Sequence, residues 1–215
     1  MRLHDHALVK PGTIKNNSGK PYRVFTPFWK SLAEYLSGLP GDHGLYTLGE
    51  QQSPEGVDVE SDEIAALELL DEHPWHEKLQ QHWKAGEQAA LEQLDAFIED
   101  DLDGYPEGRD FPAEHWNSHL SAALHFGEIS PWRVLDTVRP AYLGEWGEKS
   151  AKAGEAFLRQ LGWREFAINL LHDHPKSPEL SLNEDYEGSG IWFDDEEARQ
   201  RWQRGETGIS LVDAG

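Results

Sequence analysis

The run SAKAGEAFLRQLGWREFAINLLHDH, residues 150–174, is the feature that most constrains the fold. It contains no proline, and Phe157, Leu161 and Ile168 lie close together around a helix axis at 3.6-residue periodicity. On an adjoining face Gln160, Trp163 and Ala167 line up at i, i+3 and i+7. No strand pattern of any length and no internal repeat accompanies this helix, so the chain is expected to be mainly α.

Shorter helical patterns precede it. Thr26 and Pro27 suit an N-cap and a first helical position, so TPFWKSLAEYLSG is expected to form a helix closed by Gly38, with Phe28, Leu32 and Tyr35 or Leu36 on one face. In EQAALEQLDAFIEDDL, residues 87–102, Ala90, Leu91, Leu94, Phe97 and Ile98 recur at helical spacing. Ser130 and Pro131 cap and open PWRVLDTVRPAYL, in which Pro140 is expected to kink or stop the helix. SDEIAALELLDEH, starting at Ser61, suggests a short helix with a weak stripe, and PWHEKLQQHW a loop or brief turn. Residues 1–25 carry Pro11, Gly12, Gly19 and Pro21 with little periodicity and read as an extended arm with turns; residues 39–58 read as a surface linker.

Composition narrows the function classes. The chain of 215 residues, with 38% hydrophobic and 11% aromatic content, is long enough for one large domain or a domain with an arm. It has no Cys, which excludes disulfides, cysteine nucleophiles and thiolate metal sites. Neither a leader-like segment nor an apolar run of spanning length occurs, so no membrane association and a cytoplasmic location are expected. The formal charge of −21 repels phosphate backbones at long range, and it also suits a salt-adapted source.

Most catalytic motifs are missing. There is no Gly-x-Ser-x-Gly, no Walker loop and no Gly-x-Gly-x-x-Gly. His115 and His119 would share a helix face, but no third ligand is implied, so no metal site is expected. His172 and His174, two apart, would point away from one another on a helix. Residues 116–134, WNSHLSAALHFGEISPWRV, are more informative: Asn117, Ser118 and Ser121 surround a helix start where hydroxyls and backbone N–H groups suit a phosphate, although two capped helices explain the same pattern.

Taken in order, GKPYRVFTPFWK, GYPEGRDFP, NSHLSAALHFGEISP, FLRQLGWREFAINLLHDHP and WQRGETGISLVDAG resemble the DNA photolyase and cryptochrome flavoprotein family over most of the chain. The resemblance implies a helical FAD-binding domain of photolyase type, incomplete, with an extended N-terminal arm. It divides the chain into an interdomain arm and linker, residues 1–75, and the N-terminal half of the FAD-binding domain, residues 76–215. KPYRVFTPFWK corresponds to the segment that leaves the family's antenna domain, with Phe25, Phe28 and Trp29 as packing anchors.

The family's site residues carry over position by position. Tyr105 and the run Asn117, Ser118, His119, Leu120, Ser121 match the flavin-phosphate segment, where the family commonly has Thr-Ser-x-Leu-Ser; Asn117 departs from it but retains an amide for hydrogen bonding. Arg109 matches a basic position on the DNA side. Gln160, Trp163 and Arg164 match residues lining the cavity that receives a flipped pyrimidine dimer, Gln160 standing where dimer-repairing members usually have Glu. Arg109, Arg159 and Arg164 are the local basic candidates for DNA. Trp192 matches the outermost tryptophan of the family's electron-transfer chain.

The resemblance thus implies FAD as cofactor, UV-damaged DNA as partner, and a piece of a deoxyribodipyrimidine photo-lyase that splits cyclobutane dimers by light-driven electron transfer. No antenna chromophore is expected on this piece, and a complementary polypeptide is one way the FAD pocket would be completed. The alternatives are a cryptochrome-like blue-light sensor and an inactive truncated remnant.

Overall fold

The computed structural model describes residues 6–39, 62–69, 74–186, 190 and 193–214. Among these residues there are helices and turns and no strand, so the mainly α expectation holds. The α-helices are α1 (Phe25–Ser37), α2 (Trp75–Gln80), α3 (Glu87–Ala96), α4 (Tyr105–Gly108), α5 (Ser121–Phe126), α6 (Pro131–Tyr142), α7 (Glu148–Asp173), α8 (Glu196–Gln203) and α9 (Ser210–Asp213). Two compact units are separated after Asp173, with α1 to α7 in the first and α8 and α9 in the second.

Helix α7 is the axis of the first unit, with α6, α1 and α4 packed along it. It starts two residues before the run read from the sequence and ends one residue earlier. Phe157, Leu158, Leu161 and Phe166 are buried along it, and α6 contributes Val134, Leu135, Val138 and Ala141 to the same core. The two helices approach closely at Gly154, where a Cβ would sit 2.8 Å from the Tyr142 backbone nitrogen. Only a residue without a side chain permits that backbone contact.

Helix α1 begins at Phe25, with Val24 as its N-cap, rather than at the Thr26–Pro27 signal. Packing explains the extension. Phe25, Phe28, Leu32 and Leu36 form the buried face, and Phe25 reaches α7, where its ring stacks on Trp163 at 3.7 Å between centroids. Of the two alternatives at the end of that face, Leu36 is buried and Tyr35 is exposed.

Helix α3 buries Ala90 and Leu94 and passes at Phe97 into a wide π-type turn, Phe97–Asp101, that carries Phe97 fully into the core. Helix α6 is capped as expected, Ser130 Oγ accepting from the Trp132 amide at 3.2 Å. It runs through Pro140 and ends two residues later, because in the last turn the missing N–H and ring clash disturb little further helix. PWHEKLQQHW, read as loop, contains the short helix α2, whose residues are all outside the core. SDEIAALELLDEH yields only a 3-10 turn, Ile64–Leu67, within its described part; the linker over residues 40–58 lies outside the described residues.

In the second unit, Asp195 caps α8 by accepting from the Ala198 amide at 2.9 Å. The Asp213 carboxylate folds back on residues 207 and 208, accepting from the Thr207 amide at 2.8 Å and the Gly208 amide at 2.9 Å. The Thr207 hydrogen bonds hold its carboxyl below the usual range.

Candidate functional site

The sequence-derived site is built around one loop. Trp116 lies across the glycines at both ends of α4: a Cβ at Gly104 would be 2.1 Å, and at Gly108 2.0 Å, from its side-chain atoms. This seat fixes the start of residues 117–121. His119 then takes a left-handed backbone conformation, φ 53°, which turns the chain so that Leu120 is buried and Ser121 opens α5. The Asn117 amide faces the Arg109 carbonyl at 3.5 Å, a long contact that leaves most of its hydrogen-bonding capacity unused.

Opposite this loop, one side of α7 completes a cavity of about 1000 Å³. It brings together Tyr105, Asn117, Ser118, His119, Leu120, Ser121, Gln160 and Arg164, all expected from the sequence. Ala167 and Ile168 extend the α7 wall, Ala167 three residues beyond Arg164 and seven beyond Gln160, Ile168 four and eight beyond them. Phe157 and Leu161, which the periodicity places close together around the helix axis, also line the cavity, as do Leu124 and Pro112. His6 contributes from the N-terminal arm.

The other expected residues lie elsewhere. Trp163 is not on the cavity lining: it is 46% exposed, its ring stacked on Phe25 and edge-on to Phe166. The i+3 step from Gln160 carries it around the helix toward α1, whereas the i+4 step carries Arg164 to the cavity. Arg109 lies beside the site, 3.6 Å from Asp110 and over the Tyr105 ring at 5.9 Å. Arg159 stands over the Phe25 ring at 5.6 Å. Trp192 lies outside the described residues. His115 and His119 occupy a non-helical loop and have different neighbours, Asp101 at 3.3 Å for His115 and the Trp83 ring for His119.

The electrostatics of the cavity oppose those of the chain. Of 215 residues 40 are acidic, yet no Asp or Glu is among the described lining residues, which include Arg164, His6, His119 and His125. The Arg164 guanidinium donates to the His6 and Leu124 carbonyls, the latter at 3.3 Å, and so is held in place between the arm and α5. Burial pushes the Tyr105 phenol up, while the neighbouring Arg109 guanidinium acts in the opposite direction.

Size and lining fit FAD. The volume is at the upper end of the roughly 300–1,000 Å³ common for small-molecule sites. Serine hydroxyls and amides on the loop and the Arg164 guanidinium on α7 suit a diphosphate, and Phe157, Leu120 and Leu161 offer apolar surface for a ring system. A second cavity of about 870 Å³, between α2, α3 and α5, shares His119 and Leu120 with the first.

A helical domain with a cavity of this size and lining has room and chemistry for a nucleotide cofactor. Comparison with known proteins gives the chain's relatives. The model for the FAD binding domain of DNA photolyase matches residues 157–215, and that for DNA photolyase matches residues 1–44. The loop at 117–121 falls between these stretches, but whole-chain relatives cover it. A deoxyribodipyrimidine photo-lyase from Agrobacterium fabrum is 35% identical over 97% of this chain, and one from Halobacterium salinarum 33% over 100%. The Escherichia coli photo-lyase is 28% identical over 98%. The crystal structure of a class III photolyase from Agrobacterium tumefaciens superposes with a TM-score of 0.81 at 34% identity, covering 98% of this chain and 42% of that one. Along essentially its whole length the chain is similar to DNA photolyases. It spans about 42% of the length of the Agrobacterium fabrum relative and 43% of the Halobacterium one.

Proposed function

We propose that this chain, comprising an arm and linker (residues 1–75) and the first half of a FAD-binding domain (residues 76–215), supplies one side of the FAD site of a light-driven DNA photolyase. The observation that carries the reading is a cavity with no Asp or Glu among its described lining residues and with Arg164 at its wall, 3.6 Å from the buried Glu165 carboxylate, in a chain of charge −21. Such a cavity selects an anionic ligand against the field of the rest of the protein.

In this reading the Ser118 and Ser121 hydroxyls and the Asn117 amide hydrogen-bond to the cofactor's phosphates. Arg164, fixed by two backbone carbonyls, supplies countercharge without having to be ordered on binding. Leu120, Phe157 and Leu161 exclude water from the apolar part. Tyr105 and the His119 backbone shape the entrance to the phosphate loop. When bound, FAD supplies the light-dependent electron-transfer chemistry. Gln160 offers an amide to the polar edge of a flipped pyrimidine pair, and Arg109, Trp163 and Arg159 lie outside the cavity lining, available to backbone or stacked base. Trp192 is assigned to electron transfer on resemblance alone. UV-damaged DNA is the proposed partner.

The reading is tested in the longer protein that carries this segment, by binding and illuminated repair of a thymine-dimer oligonucleotide. Light-dependent repair that falls at least about tenfold in Gln160→Ala supports it. Flavin binding without lesion binding would instead support a light-sensing flavoprotein. One observation favours that second reading: Trp163, assigned to the lesion, is stacked on Phe25 rather than turned into the cavity.

A further inference from the structure

Glu165 and Asn169 lie one turn apart on α7, both buried, and neither lines the cavity. Glu165, 1% exposed, accepts from the Leu8 amide at 2.9 Å through one carboxylate oxygen and from the Val9 amide at 3.4 Å through the other. Asn169 Oδ1 accepts from the Gly12 amide at 2.9 Å, while its Nδ2 donates to the Glu165 carbonyl at 2.8 Å. The arm residues so held, Ala7, Leu8 and Val9, are themselves buried. Gly12 has φ +82°, and a Cβ there would be 3.0 Å from the His172 ring, so the arm turns tightly against the last turns of α7.

The next residue toward the N-terminus is His6, whose carbonyl is held by Arg164 and whose residue forms part of the cavity wall. The structure is therefore a clamp with a consequence at a distance. From this arrangement we infer that Glu165 and Asn169 are positioning residues of the cavity: by binding the amides of Leu8, Val9 and Gly12 they set the arm and with it His6, and Glu165, whose carboxylate is 3.6 Å from the Arg164 guanidinium, also holds that group directly. Neither side chain touches the ligand. A buried carboxylate opposed to backbone N–H groups is strongly specified, because loss of either partner leaves an unsatisfied polar group in the core. The clamp also ties two stretches more than 150 residues apart, fixing the arm against the helix that lines the cavity.

This inference rests on the flavin reading of the cavity, so its test uses two readouts that do not require flavin. In the full chain, Asn169→Ala, Glu165→Ala and Glu165→Gln are compared by amide hydrogen exchange, by the His6 ring resonance and by FAD titration. In Asn169→Ala the amides of Leu8, Val9 and Gly12 are expected to exchange about tenfold faster, while those of α6 and central α7 keep their protection. The His6 ring, exposed but part of the cavity wall, changes its resonance as the arm shifts, and the FAD dissociation constant rises about tenfold. Glu165→Gln keeps one side-chain oxygen for the Leu8 amide and loses less than Glu165→Ala. Should Glu165→Ala not fold, Asn169→Ala and Glu165→Gln carry the test. Unchanged arm exchange, or an unmoved His6 ring, overturns the clamp. Faster arm exchange with unchanged FAD affinity overturns its link to the cavity. If wild type takes up no FAD, the flavin reading fails, and exchange with the His6 resonance still decides the clamp.

Discussion

Glu165 shows how much chemistry one buried residue sets. Burial pushes its carboxyl above the ordinary 4.5, with the Leu8 and Val9 amides and the Arg164 guanidinium opposing the rise. A folded value above the unfolded one means the folded protein holds this proton more tightly. The contribution is then fully present below 4.5 and is lost as pH rises through the folded value. Measured by urea unfolding from pH ~4.5 to ~8, the stability of wild type relative to Glu165→Gln is expected to move against wild type as pH rises. A pH-independent difference would contradict the burial of an ionisable group there. The sequence did not disclose this residue, because the acidic side chains are too numerous for any one to stand out. Ser118, Ser121 and Gln160 were legible, since their order within longer blocks resembles the family. Trp163 was legible as a position but not as a contact, because Phe25 competes for its ring from a helix more than 130 residues away.

Among the elements, α7 was readable almost to its ends, since uninterrupted periodicity over some 25 residues leaves few other folds. Helix α1 was readable at its glycine end and missed at its start, where tertiary packing of Phe25 overrides the Thr-Pro capping signal. The docking of the arm was not readable at all: its partners, Glu165 and Asn169, lie more than 150 residues along the chain. The α6–α7 contact gives a direct test. Gly154→Ala places a methyl group against the Tyr142 backbone, which has no flexible side chain to move aside. It is expected to destabilise the fold by about 1–3 kcal/mol, seen as a lower midpoint in thermal unfolding. An unchanged midpoint would mean that the helices are less tightly apposed than 2.8 Å implies.

For the whole molecule, charge and function pull in opposite directions. A net −21 spread over 215 residues destabilises the compact state by self-repulsion, which added salt screens. Raising NaCl from about 0.05 to about 1 M should therefore raise the melting temperature, and a fall would point to specific ion pairs as the larger effect. No described helix is long and apolar enough to cross a membrane, α7 included. Against this acidic background the cavity stands out by having no Asp or Glu among its described lining residues, a property no compositional total reveals because it depends on which residues the fold brings together. In the proposed reading this cavity takes FAD through the loop at 117–121. This is tested most directly by titrating the purified chain with FAD, comparing wild type with Ser118→Ala, Ser121→Ala. Saturable binding by wild type, weakened by roughly 10- to 100-fold in the double variant through loss of two hydrogen bonds to a charged group, is the predicted result. Equal affinity in the two well-folded proteins, or no binding by either, would contradict it.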